Sequence, residues 1–200
     1  MRTAAWSFPV LALAGSFLVP PSVNAGFPCG GSCYLWELSF SAASYGVHTS
    51  PPRPGTVPVY LWFACAAADG MSVAEFAVHT EGALSVLDFT PMNGFLNAGT
   101  ATELLLSVGG CPHGQILAGV FTMLDPTGAG GSACFAGSAA HDLNVTVECT
   151  PIEPMAYENG YTGVSTDGSA PCSVTAGGYG GCGPLSVEVS TWGSVKTSYR

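Results

Sequence analysis

The segment HDLNVTVEC, residues 141–149, alternates apolar and polar side chains with a period of two. Leu143, Val145, Val147 and Cys149 fall on one side, and Asp142, Asn144, Thr146 and Glu148 on the other. Successive side chains of an extended strand point to opposite faces, so this pattern predicts a strand with one face buried and one wet. On that reading the valines point inward and Glu148 is solvated. Related patterns recur along the chain. In VPVYLWFAC, Val57, Val59, Leu61, Phe63 and Cys65 share a face. In SVAEFAVHT, Phe76 and Val78 are expected inward, with Glu75 and His79 outward. LSVEV places Leu185, Val187 and Val189 inward, and SVLDF, TELLLSV and QILAGVFTML are further strand candidates. Turn residues separate these runs: Asp69-Gly70, Pro91 to Gly94, Asp125 to Gly128 and Asp167-Gly168. Seven or more short strands with no long amphipathic helix predict an all-β fold, an antiparallel β-sandwich. A closed barrel is built from similar local patterns.

The ends carry different signals. Arg2 precedes an almost wholly apolar run from Phe8 to Val19, which Pro20 and Pro21 interrupt. Val23-Asn24-Ala25 then fits a small-x-small cleavage site, so residues 1–25 are expected to be a secretory signal peptide. The run is shorter than the roughly 20 residues a spanning helix needs, so no membrane span is expected after cleavage. The domain is then expected to span 26–190, followed by a tail at 191–200. Within the domain, 158–183 is rich in Gly, Ser and Thr and is expected to be a long surface loop.

An exported chain with eight cysteines is expected to form disulfides. Cys29, Cys33, Cys65, Cys111, Cys134, Cys149, Cys172 and Cys182 allow 105 pairings. The short glycine-rich spacers of CGGSC and CSVTAGGYGGC favour Cys29–Cys33 and Cys172–Cys182. A secreted, periplasmic or cell-surface location follows from the leader and the cysteines together. No Lys or Arg occurs between Pro54 and Val195, and the formal net charge is −9. Such a surface repels nucleic acid and anionic lipid. Charged residues make up 8% against 48% hydrophobic ones, too apolar a balance for charge-driven disorder.

The segment from Val57 to Thr150 carries an apolar strand, an AEFAV strand, a strand ending VLDFTP, the CPHGQILAGVFTMLDP stretch and a strand ending VECTP. This succession resembles the cohesin-like, immunoglobulin-like sandwiches of exported bacterial proteins. The closing WGSVKTSYR resembles the endings of many secreted bacterial proteins. The resemblance implies fold and export. Cohesins bind dockerins, but no dockerin-contacting residue maps onto this chain.

Residues that carry chemistry are sparse. Ser132 in GGSAC and Ser138 in AGSAA come nearest to a nucleophile-elbow motif, yet both lack its final glycine. His113 or His141 would have to meet such a serine in space. The four histidines, His48, His79, His113 and His141, show no metal-ligand spacing. Asp69, Asp125 and Asp167 beside glycine turns are calcium candidates, although turns recruit Asp and Gly for backbone reasons alone. No other cofactor is expected. Glu148, Glu153 and Glu158 show no spacing that sets up a glycosidase pair. Tyr60, Trp62, Tyr161 and Tyr179 are the aromatic candidates for stacking on a sugar. Asn144-Val145-Thr146 fits the N-glycosylation acceptor. In the tail, Trp192, Val195 and Tyr199 share one helical face, with Lys196 and Arg200 placed to suit the C-terminal end of the dipole. So short a helix needs to dock on the domain or on a partner. The expected role is non-catalytic binding or cell-envelope structure, with a protein or polysaccharide at the cell surface as partner. Sugar binding and, after it, secreted hydrolysis are the alternatives.

Overall fold

The computed structural model describes residues 34–65, 70–149, 154 and 156–174. The leader, Cys29, Cys33, Asp69, Glu153, Tyr179, Cys182, the 185–189 strand candidate and the 191–200 tail lie outside the described residues. Twelve strands follow one another among the described residues: β1 (Tyr34–Ser39), β2 (Gly55–Cys65), β3 (Met71–Gly82), β4 (Ser85–Pro91), β5 (Phe95–Asn97), β6 (Glu103–Val108), β7 (Ile116–Asp125), β8 (Gly131–Ala136), β9 (Val145–Glu148), β10 (Ala156–Thr162), β11 (Val164–Ser165) and β12 (Ser173–Val174). No helix occurs among the described residues. Sequence patterning assigned no strand at 34–39.

The strands form two layers. One sheet runs β12-β10-β1-β2-β7-β4. In the other, β3 is flanked by β6 and then β5 on one side. On its other side β3 pairs with β8 through residues 77–82 and with β9 through residues 71–75. Strands β8 and β9 are thus two halves of one ladder, interrupted by an excursion at 137–144. All these pairings are antiparallel except β1 with β10. Strand β10 belongs to both layers. Its first half pairs with β9 and its second half with β1, so the hydrogen-bonded array is continuous through it.

The core lies between the layers. Val57, Val59, Leu61 and Phe63 of β2 face it as expected. Trp36 of β1 packs on Phe63 at 4.9 Å, Phe76 at 5.1 Å and Phe95 at 6.3 Å between ring centroids. Phe89 and Phe121 meet at 4.6 Å near the β4 edge. Burying side chains of this size stabilises by about 1.5–3 kcal/mol each.

The faces of β9 are the reverse of the expectation. Thr146 sits opposite Ala74, whose side chain is in the core, and is fully buried. Val145 and Val147 sit opposite Glu75 and Val73 and take the outer face. Glu148 is not solvated: it is 4% exposed and accepts a hydrogen bond from Tyr157 Oη at 3.1 Å. A polar inner face is tolerated because Trp36 brings an N–H into the core. Its Nε1–H donates to Thr146 Oγ1 at 2.9 Å, and the Thr146 hydroxyl donates to Asn159 Oδ1 at 2.6 Å. Asn159 Nδ2–H then donates to Asn144 Oδ1 at 2.9 Å.

The expected surface loop at 158–183 is corrected over its described part, 158–174. Residues 158–162 complete β10, and β11 and β12 follow. Tyr157, Asn159 and Tyr161 alternate inward, with Tyr157 packed on Tyr34 and Tyr161 on Phe135, both at 5.5 Å. Asn159 fills a core position that an apolar residue would otherwise mark, so the alternation was masked.

Two disulfides cross-link the described residues, Cys111–Cys149 and Cys134–Cys172. The second replaces the expected Cys172–Cys182 pair. The antiparallel pairing of β11 with β8 carries Cys172 back over β8, nearer in space than sequence proximity indicates. Gly163 permits that approach, because a Cβ there would land on the Ala133 carbonyl oxygen and the Cys172 sulfur.

Replacing Thr146 with valine keeps the shape but removes the hydroxyl shared by Trp36 and Asn159. Unfolding in urea is expected to show a loss of about 1–3 kcal/mol, with Thr146→Ser recovering most of it. An unchanged midpoint for Thr146→Val would contradict the role assigned to this hydroxyl.

Candidate functional site

Three places collect polar or exposed side chains with no evident duty in the core. The first is the excursion at 137–144, which lies over the outer face of β3. Glu75 leaves β3 on that face, as expected, but is only 5% exposed. Ser138 Oγ–H donates to Glu75 Oε1 at 2.5 Å, and His141 Nδ1–H donates to the same oxygen at 2.7 Å. A carboxylate only accepts, so this contact fixes the proton on Nδ1. The excursion closes on itself through Asp142 N–H to the Ser138 carbonyl at 2.7 Å and Ser138 N–H to the Leu143 carbonyl at 2.9 Å. Glu103 Oε2 accepts from Ala139 N–H at 2.8 Å.

Ser138 and His141, separate candidates in the sequence, are therefore brought together by an acid that was read as a plain surface residue. Their arrangement is not a nucleophile with its base. In a catalytic triad the serine proton goes to the imidazole and the acid orients that ring from its far side. Here the serine proton is spent directly on Glu75, and backbone N–H groups of His141 and Leu143 point at Ser138 Oγ at 3.3 and 3.5 Å. The group pins the excursion to β3. Ser132 lies on β8 opposite Glu81, and His113 is exposed and separate from both serines.

The second place is the outer face of β1. Tyr34, Trp36 and Leu38 point into the core, so Leu35, Glu37 and Ser39 point out. The segment 40–54 crosses this face as a strap, and Glu37 beneath it is 2% exposed. Burial pushes the Glu37 carboxyl up to about 7. His48, on the strap, places Nε2 3.4 Å from Glu37 Oε2 and Nδ1 2.9 Å from the Leu38 carbonyl oxygen. Glu37 was missed in the sequence reading. Its one signal is a lone acid inside the apolar run YLWELSF.

The third is the corner where β4 and β5 end the two sheets. Among the described residues β4 closes one sheet beyond β7, and β5 pairs only with β6. Leu87 is 53% exposed, Met92 38% and Leu96 68%. All three lie within ten residues of chain, whereas the remaining exposed large apolar side chain among the described residues, Val47, belongs to the strap. A β-bulge between Val86 and Asp88 turns Leu87 out of the ladder.

The other candidates take structural positions. Asp125 is 1% exposed, and its two oxygens accept from the N–H groups of Thr127, Gly128 and Gly130. These bonds outweigh burial and hold its carboxyl below the usual range. The Ser169 hydroxyl, then the Ser169 N–H and the Ser165 hydroxyl, donate to Asp167 and bring its carboxyl down to about 2. Both acids thus act on their own turns. No group of three or more His, Cys, Asp or Glu side chains fit to hold a metal occurs among the described residues. Trp62 and Tyr60 share the outer face of β2, but the Trp62 indole N–H is engaged with the Ser41 carbonyl at 3.1 Å. Tyr161 faces the core rather than a ligand. Glu158 is exposed on β10, and Asn144 is held by Asn159.

No family model matches the chain, and no curated protein matches it. Two solved structures are similar. The seventh ScaB type I cohesin from Pseudobacteroides cellulosolvens is 10% identical with a TM-score of 0.49, covering 66% of this chain and 90% of that one. The sixth cohesin of scaffoldin B from Acetivibrio cellulolyticus, solved in complex with a dockerin, is 12% identical with a TM-score of 0.46, covering 68% and 96%. Both belong to the family that residues 57–150 resemble.

The geometry at Ser138 makes a chemical prediction. A fluorophosphonate probe, which labels serines activated by a neighbouring base, is expected to leave Ser138 unmodified in the folded protein. A covalent adduct on Ser138, lost in His141→Ala, would contradict the pinning role.

Proposed function

We propose that this chain is an exported, non-catalytic binding domain that engages a protein partner through the β4–β5 corner. The observation that carries this reading is the exposure of Leu87, Met92 and Leu96 within ten residues of chain, on and between the two strands that end the sheets among the described residues. Exposed large apolar side chains are ordinary when scattered, and their concentration at one place is what marks an interaction surface. The scaffold behind the corner is rigid: Phe89 and Phe95 anchor it in the core, and disulfides tie strands and loops elsewhere. Disulfides of this kind persist in oxidising compartments, which supports export.

The chemistry of the corner also narrows the partner. The bulge at Leu87 and Pro91 at the end of β4 interrupt the regular edge that an added strand needs. Side chains rather than backbone would then make the contact. Asp88 follows Leu87 on β4, and no Lys or Arg occurs between Pro54 and Val195. A neutral or basic partner with apolar pockets fits this surface, and an acidic one does not. A polysaccharide has less to hold, because Trp62 is tied to the strap and Tyr161 is in the core. The tail residues Trp192, Val195, Lys196, Tyr199 and Arg200 keep their proposed role as a segment that docks on the domain or on a partner.

A photo-crosslinking amino acid placed at Leu87 or Leu96 in natively secreted protein is expected to trap one discrete protein adduct. The same group at Pro51, on the strap, is expected to trap none. Leu96→Asp should remove the Leu87 adduct while leaving the melting temperature within a few degrees. Crosslinks of equal strength from all three positions would sink the assignment.

A further inference from the structure

The contact between Glu37 and His48 does not balance unless it holds an additional proton. The Leu38 carbonyl oxygen only accepts, so the His48 atom facing it, Nδ1, carries the ring proton. In the neutral ring Nε2 is then a lone pair. It faces Glu37 Oε2, also an acceptor when ionised, at 3.4 Å. Oε2 is buried and has no hydrogen-bond donor among the described residues. Two acceptors held this close repel, whereas one proton between them makes a charge-assisted hydrogen bond.

We propose that Glu37 and His48 form a proton-operated latch that fastens the 40–54 strap across the outer face of β1 and β2, closed while the pair holds a proton between Oε2 and Nε2 and released when that proton is lost to solvent. The strap is otherwise held by a small set of bonds. Phe40 N–H donates to the Val47 carbonyl at 2.8 Å, and Ser39 Oγ–H to the Ser44 carbonyl at 2.7 Å. At its far side Ser165 N–H donates to the His48 carbonyl at 2.9 Å, and Ser50 N–H to the Ser165 carbonyl at 3.1 Å. The Trp62 indole N–H and the pair Gln115–Tyr45 complete it. Release therefore leaves the strap over the outer face of β2 on these remaining bonds alone and loosens it there.

Among the described residues Glu37 faces no fixed charge that would replace His48. Its ladder neighbours, Trp62 on β2 and Thr162 on β10, are uncharged. The other titratable groups on the surrounding elements are Tyr60 on β2, Tyr45 on the strap and, on β10, Tyr157, Glu158 and Tyr161. Of these, Tyr157 and Tyr161 are turned into the core, and Glu158 lies in the half of β10 paired with β9. Arg53 at the end of the strap and Asp167 beyond β11 are exposed. The direction of the switch follows. The folded-state value for Glu37, about 7, lies above its ordinary 4.5. The stabilisation is complete below about 4.5 and is lost as pH rises through about 7. The latch closes in acid and opens in mild alkali.

Carbon-detected NMR of the Glu37 carboxyl in the full chain, titrated from pH 4 to 9, is expected to show a midpoint near 7. Amide exchange at Phe40 and Ser50, corrected for the intrinsic rate, should lose protection by roughly tenfold or more between pH 5.5 and 8.5. In Glu37→Gln the side-chain amide meets Nε2 at either protonation state of the ring, donating through its N–H to a bare nitrogen or accepting through its oxygen from a protonated one, so protection there should stay constant over the same range. A Glu37 midpoint below 5.5, or an equal loss of protection in wild type and Glu37→Gln, overturns the latch. Should that variant fail to fold, the wild-type carboxyl titration decides alone.

Discussion

The hydrogen bonds that run from Trp36 through Thr146 to Asn159 hold the two layers in one arrangement. They sit where β10 leaves β9 and takes up β1, the strand shared by both sheets. A sandwich held by apolar contact alone can slide, because hydrophobic burial has no direction. A buried donor with one acceptor position does not allow sliding: moving β9 by one residue would exchange Thr146 for a valine and strand the indole N–H. The aromatic cluster of Trp36, Phe63, Phe76 and Phe95 supplies the bulk of the core, and this polar chain fixes its register.

With the seam fixed, the surfaces follow. The β4 and β5 edges are left at the side away from β10, and there the exposed leucines and methionine collect. The opposite side is tied down by β11, β12 and the Cys134–Cys172 bridge. Between them the strap and the 137–144 excursion cover the outer faces, each anchored on a buried glutamate. Glu75 is satisfied by two donors, Ser138 and His141. Glu37 has a partner only when a proton is shared. Two acids in similar positions thus serve different ends: one fastens its loop permanently and the other makes fastening depend on pH.

Much of this was legible in the residues, and the failures have physical causes. The faces of β2 and the core positions of β3 followed period-two alternation, because apolar residues there really meet the core. The faces of β9 were inverted because both are covered, and alternation alone cannot say which covered face is the core. Strand β10 escaped notice because Asn159 occupies an inward position. Strand β1 is short, and Glu37 interrupts its apolar run. The Cys172 pairing depended on the return of β11 over β8, a contact between residues far apart in sequence. Ser138 and His141 were named as candidates, yet only the fold shows that Glu75 joins them and consumes their protons. The exposed corner at Leu87, Met92 and Leu96 could not be foreseen, since exposure depends on which strands end the sheets.

The account rests on β10 being integral to both layers, and residue-resolved amide exchange in increasing denaturant tests that most directly. The amides of Trp36, Thr146 and Asn159 are expected to exchange only through global unfolding, converging on one free energy with the central residues of β2 and β3. Exchange of β10 amides through a lower-energy local opening, while β2 and β3 remain protected, would contradict it.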